Sequence, residues 1–153
     1  MSIEPETVSP LETHLGYWLR YVSNQVSHAF SLKVQARGVT VAEWVVLREL
    51  YERETMPSAL AERLGMTRGA ISKLADRLVA KGLITREPGP GDRRSQSLTL
   101  TAPGRALVPG LAALADQNDH EFFGGLDPST RATIEATMKD IVRRRGLKAV
   151  PVD

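Results

Sequence analysis

Two apolar stripes of helical spacing stand on either side of a single glycine. Leu60, Ala61 and Leu64 form the first; Ile71, Leu74, Ala75, Leu78 and Val79, at i, i+3, i+4, i+7 and i+8, form the second, with Gly65 between them. Pro57 suits a first helical position and Thr67 an N-cap. Met66 and Ile71 have the N′–N4 spacing of a hydrophobic staple, which sets the angle at which the second helix starts. Gly82 supplies its C-terminal stop. The chain is therefore expected to turn sharply between two short helices, the second burying one face and presenting Arg68, Gly69, Ser72, Lys73, Asp76 and Arg77 on the other.

The next segment reads as a β-hairpin: Leu83 to Glu87, a loop of Pro88-Gly89-Pro90-Gly91-Asp92-Arg93 whose prolines and glycines preclude a helix, then Ser95 to Thr101 with Leu98 and Leu100 alternating against Ser97, Thr99 and Thr101. Helices flank this unit. Leu11, Leu15, Leu19, Val22, Val26 and Ala29 predict a long amphipathic helix ended by Gly38, and a second starts from an N-cap at Thr40 and runs through Trp44, Leu47, Leu50 and Tyr51 to the polar connection Glu52-Arg53-Glu54-Thr55. Beyond Thr101 the pattern is helical to about Phe123, with a kink expected between Arg105 and Pro109. After Gly124-Gly125, Asp127-Pro128 opens a last helix carrying Ile134, Met138, Ile141 and Val142, with Arg143-Arg144-Arg145 complementing the helix dipole in its final turn.

Helix, tight turn, helix with a polar and basic outer face, then a basic hairpin is the order of a winged helix-turn-helix. A helix of that kind fits a major groove, and a hairpin tip can put Arg into the narrower one. Charge points the same way. Net charge is only +2, yet the segment Thr67 to Arg94 holds Arg68, Lys73, Arg77, Lys81, Arg86, Arg93 and Arg94 against Asp76, Glu87 and Asp92, a local +4 on a body of −2.

Other classes fall away. The 153 residues contain no Cys, which removes thiolate catalysis, Cys-ligated zinc and iron–sulfur chemistry, and the chain is long enough to form a core without metal or cross-link, so no cofactor is expected. No nucleophile–base pair, phosphate-cradling glycine loop or HExxH motif gives an enzyme a place to work. Asp116 and His120 stand four apart near Asp119 and Glu121, but three scattered His do not make a zinc site, and solvated surface is the simpler reading. The first ten residues lack an apolar signal region and no stretch has the length of a spanning helix, so a cytoplasmic protein without membrane contact is expected.

The chain resembles the MarR (multiple antibiotic resistance regulator) family of transcription factors. The resemblance lies in Gly38 to Trp44, Leu60-Ala61-Glu62-Arg63-Leu64-Gly65, Asp76-Arg77-Leu78, Lys81-Gly82-Leu83-Ile84 with Arg86, and the wing pattern Asp92-Arg93-Arg94 followed by Leu98-Thr99-Leu100-Thr101 and Gly104-Arg105. It implies a mainly α fold with a two-stranded wing: a DNA-binding domain over residues 39–101 and dimerisation helices over 1–38 and 102–153. It also implies a homodimer, most often a repressor, on a pseudo-palindromic operator in double-stranded DNA. Its recognition-helix contacts fall on Thr67, Arg68, Gly69, Ser72, Lys73 and Arg77; its minor-groove arginine falls on Arg94, held by Asp92, with Arg93 a candidate for phosphate. The loop Pro88-Gly89-Pro90-Gly91 departs from the family pattern and bears on how far the wing reaches.

A second stripe on the first helix, His14, Trp18, Tyr21, Gln25 and His28, reads either as dimer interface, the commoner use of such surfaces, or as the lining of a pocket for a small aromatic or anionic ligand. The alternative to a DNA reader is a winged-helix module that docks a protein partner; that use would favour apolar or acidic groups where this chain has Arg68, Ser72, Lys73 and Arg77.

Overall fold

The computed structural model describes residues 6–88 and 96–148. Its elements are a 3-10 turn at Leu11–Thr13, helices α1 (Leu15–Gln35), α2 (Val41–Glu52), α3 (Pro57–Leu64) and α4 (Arg68–Ala80), strands β1 (Ile84–Pro88) and β2 (Gln96–Leu100), and helices α5 (Ala102–Phe123) and α6 (Pro128–Arg145). The strands pair antiparallel from Ile84 opposite Leu100 to Pro88 opposite Gln96. The architecture is a winged helix-turn-helix carried between long helices.

The turn between α3 and α4 is built from local chemistry. Gly65 adopts φ 67°, its N–H donates to Glu62 O and that of Met66 to Ala61 O, the pair of bonds that closes a helix with a left-handed glycine. Two residues later Thr67 Oγ1 accepts from Ala70 N, and α4 begins. The half-buried Met66 packs against the core that holds Ile71. Leu60, Leu64, Ile71, Leu74 and Leu78 then merge with Val46, Leu47 and Leu50 of α2 and with Leu98 of β2 in one core.

Several particulars differ from the sequence reading. The N-terminal helix starts at Leu15 rather than Leu11, because His14 is extended and acts as N-cap after the 3-10 turn. Val79 is not on the buried face; it is 41% exposed, since the core contracts toward Leu78 at that end of α4. Ser97 is buried, and the connection after α2 is not wholly irregular: Thr55 exchanges both backbone bonds with Leu98 on the outer edge of β2. That single bridge occupies the edge that β2 would otherwise leave open. As expected, α5 is one helix to Phe123 with Pro109 inside it.

The apolar faces of the terminal helices have no cover among the described residues. Leu15 is 73% exposed and Met138 47%; Leu11, Leu19, Val22, Ile134, Ile141 and Val142 are also exposed, and α6 buries no residue at all. Surfaces of this kind belong to an interface.

The winged unit shares its core with α5 through Val108 and Leu111, and it also makes one very close backbone contact with that helix. Thr101 Oγ1 caps α5 at Gly104 N, 3.1 Å, and donates to Gly82 O, 2.7 Å, while Thr101 N donates to Leu83 O. A Cβ at Gly104 would collide with the Leu83 carbonyl. Gly104→Ala is therefore expected to destabilise the fold by about 1–3 kcal/mol, the cost of overpacking, measured as a fall in the thermal midpoint; an unchanged midpoint would contradict the rigidity of this joint.

Candidate nucleic-acid interface

Burial fixes which residues α4 shows. With Ile71, Leu74, Ala75 and Leu78 buried, the helix period turns Arg68, Gly69, Ser72, Lys73, Asp76 and Arg77 to solvent, and Thr67 is exposed at the cap. Among the described residues, Arg68, Lys73 and Arg77 enter no ion pair. The six recognition-helix positions singled out in the sequence thus occupy one exposed surface with cations along its length. Asp92, Arg93 and Arg94 lie outside the described residues; the described hairpin ends at the Pro88–Gln96 pair.

Two of the seven basic residues counted in this segment have other work. Arg86, on β1, donates to Asp76 Oδ1 at 2.5 Å and to the carbonyl of Ser72 at 3.4 Å, tying the root of the wing to the middle of α4. Lys81, just past the end of α4, donates from Nζ to Gly38 O and to Glu43 Oε1, both at 2.9 Å, tying that end to the α1–α2 corner. Composition alone counts these cations with the rest of the basic face. The structure makes them braces.

Glu43 is the residue the sequence reading passed over. Its side chain is fully buried. It completes a reciprocal cap of α2, with Glu43 N donating to Thr40 Oγ1 and Thr40 N to Glu43 Oε1. The T-x-x-E spacing from Thr40 to Glu43 was the available signal. Burial pushes the Glu43 carboxyl upward, but the Lys81 ammonium and the Thr40 N–H outweigh it, and its pKa lies below the ordinary glutamate value. The second oxygen, Oε2, is buried with no hydrogen-bond partner among the described residues.

A depressed folded-state pKa means that the stability this carboxylate contributes is present above the unfolded value and is lost as pH falls through the folded one. Removing the cation should strand the charge: Lys81→Met is expected to cost roughly 1–3 kcal/mol at neutral pH. Adding Glu43→Gln to that variant should recover part of the loss. Denaturant unfolding checks both, and no recovery in the double variant would contradict the pairing.

The polar–aromatic stripe is exposed along α1. Trp18 Nε1 donates to Glu12 O at 2.9 Å, and the Trp18 and Tyr21 rings lie 6.4 Å apart, with His14 at the N-cap and Gln25 and His28 facing solvent. A cleft of about 230 Å³ opens where α1, α2 and α5 meet, but its lining is Val26, Ser27, Phe30, Val41, Ala115, Asn118, Asp119 and Phe123, none of the five. Beside it the buried Asn118 donates to Val26 O at 3.1 Å and accepts from Lys33 Nζ at 2.9 Å, and Lys33 also binds Glu121. Sequence reasoning grouped Glu121 and Asp119 as acidic surface. They pair with Lys33 and Arg131.

Comparison with known proteins agrees with this geometry. The MarR-family model matches residues 37–95, which span α2 to the wing. The uncharacterized protein Rv2011c of Mycobacterium tuberculosis is 34% identical over 108 residues, covering 70% of this chain and 72% of that one. Among solved structures, Bordetella bronchiseptica BpsR, described for the regulation of its DNA binding by 6-hydroxynicotinic acid, is 26% identical with a TM-score of 0.78, over 88% of this chain and 97% of that one. A point mutant of Escherichia coli MarR in complex with operator DNA is 26% identical with a TM-score of 0.77, over 84% of this chain and 93% of that one. The chain belongs to the MarR family of transcriptional regulators.

Proposed function

We propose that this protein is a sequence-specific regulator of transcription that binds double-stranded DNA as a homodimer, with α4 of each subunit in the major groove and the wing alongside. One observation carries the reading: α4 is buried on one face and on the other exposes Arg68, Ser72, Lys73 and Arg77, whose cations have no ion pair among the described residues. A helix of this width enters a groove about 12 Å wide, where cations neutralise phosphate and short polar groups meet base edges. The E. coli relative in complex with operator DNA supports the same assignment. The positions Thr67, Gly69, Asp92, Arg93 and Arg94 belong to the proposed DNA-facing surface. A protein-docking module is the weaker reading, because the exposed face is cationic rather than apolar.

The division of labour assigns residues 39–101 to DNA and residues 1–38 and 102–153 to dimerisation. The uncovered faces of α1 and α6 support it, since a two-fold partner would bury Leu15, Leu19, Met138 and Ile141 together and place two half-sites about 10 bp apart. The protein would work in the cytoplasm, most simply as a repressor without catalytic activity. No helix of the described residues is long and apolar enough to cross a membrane. A small aromatic or anionic ligand fits the scheme, as the effector of the Bordetella relative suggests, and the α1–α2–α5 cleft is the better place for it than the exposed stripe of His14, Trp18, Tyr21, Gln25 and His28.

Binding to a random-sequence duplex, followed while salt is raised, tests the reading. Six neutralised phosphates per dimer predict a log–log slope of about −5. Arg68→Ala should cost roughly 1–3 kcal/mol on a duplex selected by the protein from a random library, and less on random DNA. Sedimentation should give twice 16.8 kDa. Salt-independent binding, or a monomer at micromolar concentration, would refute the proposal.

A further inference from the structure

Gly69 stands in the first turn of α4, where a glycine is unfavourable: the helix loses by having it in place of alanine, through backbone entropy and an unshielded main chain. Most of the other described glycines have internal reasons. Gly38, Gly65, Gly82 and Gly146 take positive φ at helix ends, and Gly104 and Gly124 lie where a Cβ would strike the backbone of Leu83 and His120. Gly69 has neither reason. Its φ is not positive, it is exposed, and a Cβ there would meet nothing within 4 Å. Gly16 and Gly125 are equally free, but Gly16 sits among the uncovered apolar residues of the terminal helices, next to Leu15, and Gly125 in the turn between α5 and α6, while Gly110 of α5 faces the Arg37 guanidinium. Gly69 sits instead among the cations of α4, one turn before Ser72 and Lys73 at i+3 and i+4.

A missing side chain that nothing inside the molecule requires points to something outside it. We infer that Gly69 is the point of closest approach between α4 and the base edges of the major groove, the absent Cβ letting the helix sit deeper than an alanine would allow. The inference rests on the DNA-binding reading and sharpens it: Gly69 acts by depth of insertion rather than by a contact of its own. Depth matters unequally to the neighbours. The long stems of Arg68, Lys73 and Arg77 follow a phosphate that recedes by an ångström or so, whereas the short hydroxyl of Ser72 loses its reach to a base. Gly69 is thereby a determinant of specificity more than of affinity.

The inference makes fold and binding move in opposite directions for one methyl group. Gly69→Ala is expected to leave the thermal midpoint unchanged or to raise it by roughly 2–4 °C. The same variant should lose at least about tenfold in affinity for a duplex selected by the wild-type protein, and no more than about threefold for a scrambled duplex of equal length, at one fixed salt concentration. Wild-type affinity for the selected duplex, equal losses on both duplexes, or a lowered midpoint would each overturn it. Arg68→Ala, measured in parallel, separates this inference from the reading beneath it. A loss from Arg68→Ala with none from Gly69→Ala overturns the closest-approach role alone; a wild-type protein that selects no duplex and shows no salt dependence overturns both.

Discussion

The rotation of α4 about its own axis decides what this protein offers to a partner, and the burial of Ile71, Leu74, Ala75 and Leu78 sets that rotation. Each is worth about 1–3 kcal/mol in the core, so turning the helix by even one position would expose two or three of them and bury a cation in exchange. The exposed face is the complement of that constraint. Arg68, Ser72, Lys73 and Arg77 need no local interaction to hold them outward, because the apolar residues leave them nowhere else to go.

Rotation alone does not fix tilt. Packing against α2 and α3 sets it, and two ion pairs add contacts from opposite sides: Arg86 reaches the middle of α4 from β1 through Asp76, and Lys81 ties its end to the α1–α2 corner through Glu43. The second joint is the costlier, since it holds a carboxylate out of water with one oxygen unpartnered among the described residues. Gly82 and Leu83 then carry the alignment on into α5 through Thr101 and Gly104. Helix α4, strand β1 and α5 are thereby linked through backbone contacts as well as side chains.

Much of this was legible in the sequence because it is periodic or local. The turn between α3 and α4 announces itself in Gly65 and Thr67, and the four residues that anchor α4 keep to the helical repeat; from these the exposed face is obtained by subtraction. The features that were not legible depend on pairing at a distance. Lys81 and Arg86 look like any other cations in a basic segment, and only the folded chain brings Glu43, 38 residues earlier, under Lys81. Thr55 gives no sign in sequence of its bridge to Leu98. Asn118 likewise owes its burial to the approach of α1, which no local pattern of α5 encodes. Val79 was misplaced for a related reason: the repeat continues through it, but the core does not.

That α4 meets DNA with this particular face is open to a direct measurement, because the chain has no cysteine of its own. A single cysteine introduced by Ser72→Cys, carrying a short photo-activated cross-linker, should couple to the bases of a duplex bound by the protein, while the same probe introduced by Glu135→Cys on α6 should leave the duplex unmodified. Cross-linking from Glu135→Cys with none from Ser72→Cys would contradict the assignment of α4 as the reading surface.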